Sequence, residues 1–443
     1  MKLTIQIYIH DSWVDAATLT LINPEKGYKS PCKLSYDIDY ALDVIDSYGS
    51  DERACSLRLP IELAEQHYHE HWFPFMEDIV PSGAARHVIT QHLDLRSSEI
   101  RDQYIQLLVK GSIAPVGNLR IKEAVRDHIV SRETEYTEYS VSEVIEKNAN
   151  FIYTAMNSGG ECRGAFGAVG EAPKILLRQT DHDTVWIDTY QKSFTNPDRF
   201  YLVKFPRGKR SKDDCDVLRA EYHFYHELAA MGFDTIDTQA MRLEEGKYPS
   251  LWLPRFDIEW QEDRWVKYGL ESISSALGKP AGSYLNHFDI IRELCKILSH
   301  KKPEFDSEKL VCEWVCRDLL NIAFGNSDNH GRNSSLLKKP TGLWLAPIYD
   351  FAPMKADPEG VCRTTLWGRP YEAGSTYHWQ KIIEQLNDLC PQEKLLFELR
   401  STARQLVGLK KRLEARGVPQ RILNMPAVGL DSLDDRLRSW NLV

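Results

Sequence analysis

The stretch Gly325-Asn326-Ser327-Asp328-Asn329-His330-Gly331-Arg332-Asn333 decides how the rest of this chain is read. It is far too polar for a core. The segment before it, Glu308 to Phe324, carries an apolar face in Val311, Val315, Leu319 and Ile322, which spells a buried helix stopped by Gly325. A polar loop launched from such a helix can divide chemical labour. Asp328 can accept a hydroxyl proton, and the side-chain carbonyl of Asn333, five residues on, can help hold a divalent cation. Spacing alone equally describes an Asn- and Asp-rich turn, so other segments have to decide.

Working outward, Leu343 to Tyr349 reads as a strand ending at Asp350, whose carboxylate can reach the same cation or merely cap the next turn. Upstream, Phe200 to Phe205 is an apolar strand closed by Pro206, and it contains Lys204. A lysine there is costly unless paired. The helix expected over Val217 to Met231, with Gly232 past its end, offers Glu221; the alternative is an edge-strand lysine facing water. The segment 206–216 between them reads as a charged loop. Gly159 to Gly170 is glycine-dense and runs on to Lys174, so its backbone N–H groups could approach phosphate oxygens. It matches neither GxxxxGK[ST] nor GxGxxG, and a surface loop is its alternative. The pieces occur in the order glycine loop, strand lysine, helix glutamate, hinge-like strand Ser250 to Phe256, Asp–Asn loop and strand-end aspartate. That is the linear order of a two-lobed protein kinase, whose catalytic loop carries D-x-x-x-x-N.

Composition bounds this reading. With 443 residues, 42% hydrophobic and 27% charged, the chain is neither disordered, collagen-like nor disulfide-dense. A net charge of −9 supplies no global basic field for nucleic acid or an anionic membrane. Nine scattered cysteines without a CxxC pair fit a reducing cytoplasm, and Cys312 and Cys316 read as small core residues rather than zinc ligands. Leu3, Ile5, Ile7 and Ile9 alternate with polar or amphipathic residues, which predicts a strand and not a signal peptide; no run is long enough for a transmembrane helix. Three regions are expected: an accessory part over 1–130, a strand-rich lobe over 131–260, and a helical lobe over 261–443 that includes the basic stretch Leu409-Lys410-Lys411-Arg412.

At these residues the sequence resembles the HipA family of serine/threonine kinases, the toxin halves of bacterial toxin–antitoxin pairs. Phe75 to Gly83 is similar to the family's F-x-N-L-L-P-x-G stretch, and Pro115-Val116-Gly117-Asn118-Leu119 to its S-V-G-A-L segment. Gly170 to Lys174 resembles G-A-R-P-K, Val203 to Pro206 resembles I-K-x-P, and Ala220-Glu221-Tyr222 resembles N-E-Y. Pro254 to Asp257 resembles the hinge E-R-F-D, Gly325 to Asn333 resembles G-N-x-D-x-H-x-K-N, and Pro347 to Asp350 resembles P-x-Y-D.

The resemblance implies an α+β, two-lobed kinase fold with a strand-rich N-terminal lobe and an all-α C-terminal lobe. It implies Asp328 as catalytic base and Asn333 and Asp350 as holders of Mg²⁺, with Lys204 on the ATP phosphates and His330 and Arg332 beside the transferred phosphate. It further implies Val169, Gly170 and Lys174 in the phosphate loop, Glu221 behind Lys204, and Leu253, Pro254 and Phe256 along the adenine pocket. The implied cofactors are ATP and Mg²⁺. The implied partners are a protein substrate such as an aminoacyl-tRNA synthetase and a small helix-turn-helix antitoxin of HipB type, with DNA reached only through the antitoxin. Three departures stand out: Gly167 lies where the family carries an autophosphorylated serine, Pro254 replaces an acidic hinge residue, and Glu171-Ala172 replaces A-R. These departures keep open a degenerate, binding-only kinase fold. A metal-dependent hydrolase built on Asp328, His330 and Asp350 explains the loop but leaves Lys204 and Glu221 without a role.

Overall fold

The computed structural model describes residues 1–45, 52–63, 65–95, 100–129, 137–157, 172–187, 198–301 and 305–443. The chain divides into two compact units. Unit one takes Met1–Gly208, Gln239–Pro280 and Ser335–Ala346; unit two takes Lys209–Thr238, Ala281–Ser334 and Pro347–Val443. The architecture is α+β, as the resemblance implies.

Unit one is built on two antiparallel sheets. In the first, β1 (Lys2–Ile9), β2 (Ser12–Leu21), β3 (Cys32–Tyr36), β4 (His67–His69) and β5 (Leu119–Ile121) lie in the order β4-β3-β2-β1-β5. The alternation at the N-terminus does what it predicts, burying Leu3, Ile5 and Ile7. A bulge between Ile5 and Gln6 lets buried Gln6 donate its side-chain amide to Asp15 at 2.8 Å. In the second sheet β6 (Tyr139–Ser140), β7 (Lys174–Gln179), β8 (Thr184–Trp186), β9 (Arg199–Lys204), β10 (Arg242–Glu245) and β11 (Pro249–Pro254) run β10-β11-β9-β7-β8-β6. Both sheets contribute to one apolar core, from Leu3 and Ile5 to Val203 and Trp252. The hinge strand expected over Ser250 to Phe256 is β11, which ends at Pro254, two residues sooner.

Three further strands, Gly269–Ser272, Ser335–Lys339 and Gly342–Leu345, make a small sheet that also belongs to unit one. The strand expected from Leu343 to Tyr349 therefore stops at Leu345. Pro347 has no N–H for a ladder, and Ile348 instead makes an isolated parallel bridge to Thr235 within unit two. Two buried carboxylates in unit one accept from donors distant in sequence. Glu271 accepts from Ser56 Oγ (2.6 Å), the Leu57 N–H (2.9 Å) and Ser275 Oγ (3.0 Å), and pairs with Lys338 Nζ at 3.3 Å. Asp257 is gripped by both guanidinium arms of Arg255 and accepts the Gly117 N–H at 2.7 Å. Gly117 has φ +88°, and a Cβ there would lie 3.2 Å from the Leu270 nitrogen, so the residue must be glycine.

Unit two is mainly helical. The helix expected over Val217 to Met231 starts earlier and spans Lys212–Ala230, shortening the expected 206–216 loop. A capping box explains the start: Ser211 Oγ accepts the Asp214 N–H, and the Asp214 carboxylate accepts the Ser211 N–H. Gly232, with φ +82°, follows the helix end as expected. The basic stretch becomes part of helix Leu409–Arg416, which docks on helix Lys212–Ala230: Arg412 and Arg416 each donate to buried Glu227 at 2.6 Å. Cys312 and Cys316 are buried free thiols on helix Ser307–Phe324. Among the described residues no helix is long and apolar enough to cross a membrane.

Removing the Asp257 carboxylate leaves the Arg255 guanidinium buried without its counter-charge. Asp257→Ala is expected to lower stability to urea by about 3–5 kcal/mol. Burial by itself raises the Asp257 carboxyl, but Arg255 and the Gly117 N–H outweigh it and hold it below its usual range. Its contribution is thus full above the ordinary carboxylate value and is lost as pH falls through the lowered one. Urea midpoints of wild type and Asp257→Ala should converge toward the acid end and stay apart at pH 7.

Candidate functional site

The polar loop is held at its start by backbone geometry. Helix Ser307–Phe324 ends at Gly325, whose φ of +70° and ψ of +24° are left-handed, and a Cβ there would come within 2.9 Å of Val428 Cγ1. Asn326 then folds back on the helix. Its N–H donates to the Asn321 carbonyl (2.8 Å), its side-chain amide donates to Asn321 Oδ1 (2.9 Å), and its own Oδ1 accepts the Asp328 N–H (3.1 Å). The Asp328 carboxylate is left partly exposed, with Oδ1 3.3 Å from His330 Nε2. His330 Nδ1 accepts the Arg332 N–H at 3.3 Å, so the imidazole presents its Nε2 side to Asp328.

Two bonds tie the loop internally and to the segment before Asp350. Asn333 donates its side-chain amide to the Asp328 carbonyl at 2.8 Å, which leaves its Oδ1 for another partner. The Tyr349 hydroxyl donates to the Arg332 carbonyl at 2.8 Å, joining the residue before Asp350 to the residue before Asn333. Asp350 itself has φ +52°, a sparsely populated conformation for a residue with a side chain. Its neighbour Phe351 donates its N–H to the buried Tyr225 hydroxyl (3.2 Å), which donates to Glu221 Oε1 (3.0 Å). Burial above all, then the charges of Glu221 and Asp350, push the Tyr225 phenol well above its ordinary value, so it remains a donor. Glu221 and Asp350 thus flank one buried hydroxyl. Sequence reading did not single out Tyr225; its one signal was its place four residues after Glu221 on a helix. An Asn333 amide oxygen and an Asp350 carboxylate are hard oxygen donors, and they fit Mg²⁺. Among the described residues no group of three or more His, Cys, Asp or Glu could hold a metal.

The remaining expected residues lie in unit one. Lys204 on β9 and Lys174 on β7 are direct cross-strand partners, and both are buried. Their side chains share a face of the sheet, where two ammonium groups repel unless negative charge lies close. Leu253 and Pro254 pair with Leu202 and Tyr201 across the β11–β9 ladder. Although Pro254 cannot donate, the next N–H, of Arg255, donates to the Phe200 carbonyl at 2.9 Å, so the ladder continues past the proline. Phe256 follows, half-buried, beside the Asp257 anchor. Val169 and Gly170 lie outside the described residues, as does Gly167.

The chain combines a mixed α+β fold, a sheet in which Lys174 and Lys204 are cross-strand partners, and an Asp–Asn loop after a buried helix. Residues 166–408 match the family of the HipA-like C-terminal domain, more than half the chain, and the protein belongs to the HipA family. A solved structure of the HipA, HipB and operator DNA complex of the Shewanella oneidensis MR-1 toxin–antitoxin system is similar over 99% of this chain and 97% of that one, at 14% identity and TM-score 0.64. The Helicobacter pylori proinflammatory kinase CtkA aligns with 61% of this chain and 89% of its own, at 13% identity and TM-score 0.37. None of the curated proteins matches the chain.

Tyr225→Phe tests the hydroxyl bridge. It leaves the Phe351 N–H and the Glu221 carboxylate buried without this partner and is expected to cost about 1–3 kcal/mol. Denaturant melts should show that loss, and an unchanged midpoint would remove the bridge from the account.

Proposed function

We propose that the chain is a Mg²⁺- and ATP-dependent serine/threonine protein kinase. The observation that carries this reading is the Asn333–Asp328 hydrogen bond within the polar loop, beside a bond from Tyr349, the residue before Asp350, to the Arg332 carbonyl of the same loop. In this reading Asp328 accepts the proton of the substrate hydroxyl, and His330 and Arg332 stand beside the transferred group. Asn333 and Asp350 hold Mg²⁺, which neutralises phosphate charge. Lys174 and Lys204 are assigned to the ATP phosphates together with Val169 and Gly170, and Leu253, Pro254 and Phe256 to the adenine. Catalysis of this kind is positioning and charge neutralisation, which suits a protein whose −9 net charge demands a local cationic site.

The proposal extends to partners. The Shewanella structure contains HipB and operator DNA with its HipA, which supports a helix-turn-helix antitoxin for this chain and DNA contact through that antitoxin. The resemblance supports a translation component, such as an aminoacyl-tRNA synthetase, as protein substrate, and the cytoplasm as the place of action.

Purified protein given radiolabelled ATP and Mg²⁺ should label a protein in a cell lysate, and Asp328→Asn should lower the rate about 10²-fold or more. Equal labelling by the variant would contradict the role of Asp328. Tight ATP binding with no labelling of any protein by wild type would instead favour a binding-only kinase fold.

A further inference from the structure

Asn329 lies between Asp328 and His330, and nothing in the roles above uses it. Its side chain is nevertheless committed in both directions. The amide nitrogen donates to the Thr365 carbonyl at 2.8 Å, while Oδ1 accepts the Thr364 and Thr365 N–H groups at 3.3 and 3.5 Å. The side chain therefore pairs with the 364–365 backbone much as a neighbouring strand would.

That backbone is itself fixed by two buried carboxylates. Arg363 Nη2 donates to both oxygens of Asp318, at 2.9 and 3.2 Å, and Arg363 Nε lies 3.3 Å from Glu372 Oε1. Trp367 donates its indole N–H to Asp318 Oδ2 (2.8 Å) and its backbone N–H to Glu372 Oε2 (2.9 Å). His287 stacks on the Trp367 ring, and its Nε2 lies 3.4 Å from Asp318 Oδ1. Its Nδ1 accepts the Trp314 indole N–H at 3.0 Å. Burial opposes charge on Asp318, but Arg363, then His287 and Trp367, outweigh it and hold the carboxyl far below its usual range. Asp318 sits on the same helix whose end at Gly325 launches the loop. The loop is thereby fastened twice to helix Ser307–Phe324: along the chain through Gly325, and across space through Asp318, Arg363, Thr365 and Asn329.

We infer that Asn329 is a positioning residue, which transmits the rigidity of the Asp318–Arg363–Trp367–Glu372 cluster to the backbone of Asp328. The step rests on the kinase reading above for its catalytic consequence, and on these hydrogen bonds alone for its structural one. Gly325, Asn326 and the Asn333–Asp328 bond hold the loop to itself and to its helix; the Asn329 pairing adds the tie from the residue after Asp328 to the 364–365 backbone. Misplacement of a catalytic group by about 1 Å costs on the order of 10²-fold in rate.

The test uses the full chain and two variants. Asn329→Ala deletes the pairing, and Asn329→Asp keeps an acceptor while turning the donor to the Thr365 carbonyl into a repelling oxygen. Both should lower kcat for phosphate transfer by about 10- to 100-fold, with KM for ATP and the thermal midpoint close to wild type. Hydrogen exchange of the peptide spanning residues 326–333 should accelerate in both. Unchanged exchange would overturn the inference whether or not the protein transfers phosphate. Faster exchange with kcat within about twofold of wild type would overturn its catalytic consequence. A wild type without transfer would instead refute the kinase reading, and the exchange comparison would still decide the role of Asn329.

Discussion

The left-handed turn at Gly325 is the constraint on which the rest of the site depends. Helix Ser307–Phe324 is buried along most of its length, from Leu310 to Phe324, so its last carbonyls and the chain leaving it must turn at once without meeting Val428. Only a residue without Cβ does this cheaply at φ +70° with Val428 Cγ1 2.9 Å away. The Gly325 carbonyl is used as well, accepting the Lys355 N–H at 3.0 Å. From this fixed point the polar residues follow in hydrogen-bonded steps, Asn326 to Asn321, Asp328 to Asn326, Asn333 to Asp328. The polar loop is therefore an extension of the core.

A second theme is the use of buried carboxylates as long-range anchors. Asp257 joins the Pro115–Leu119 segment to the residues after β11, Glu271 joins residues 56–57 to the Gly269–Ser272 strand, Glu227 receives the helix Leu409–Arg416, and Asp318 receives Arg363. Each is met by arginine, lysine or N–H donors, as a buried charge requires. Removing one partner costs far more than the pair contributes. Because each meets a lysine or an arginine, these pairs do not account for the acidic balance of the chain.

Legibility in the sequence followed locality. The N-terminal strand was readable because its period is two residues, and the helix before Gly325 because its apolar face recurs at helical spacing. The Lys204 strand was readable because a cation in an apolar run is conspicuous. What escaped was non-local. Arg363 meets Asp318 across 45 residues, Asn329 meets Thr365 across 36, and Tyr225 meets Phe351 across 126; no periodicity marks such pairs. The early start of helix Lys212–Ala230 was hidden because its capping box lies in a run of charged residues that reads as loop. The end of the strand at Leu345 was hidden because Ile348 and Tyr349 continue the apolar pattern past a proline that breaks the ladder. The Pro115–Leu119 segment had been matched only by resemblance; its Gly117 now has a physical reason, the N–H it gives to Asp257.

The central claim is that Asn333 and Asp350 form an oxygen site that takes Mg²⁺ together with nucleotide phosphate. Calorimetric titration of ATP into wild type and Asp350→Asn, with and without Mg²⁺, tests it most directly, because asparagine tolerates the left-handed backbone at this position while losing the carboxylate. The account predicts that Mg²⁺ tightens ATP binding to wild type and leaves the variant near the metal-free affinity. An equal Mg²⁺ effect in both proteins would contradict it.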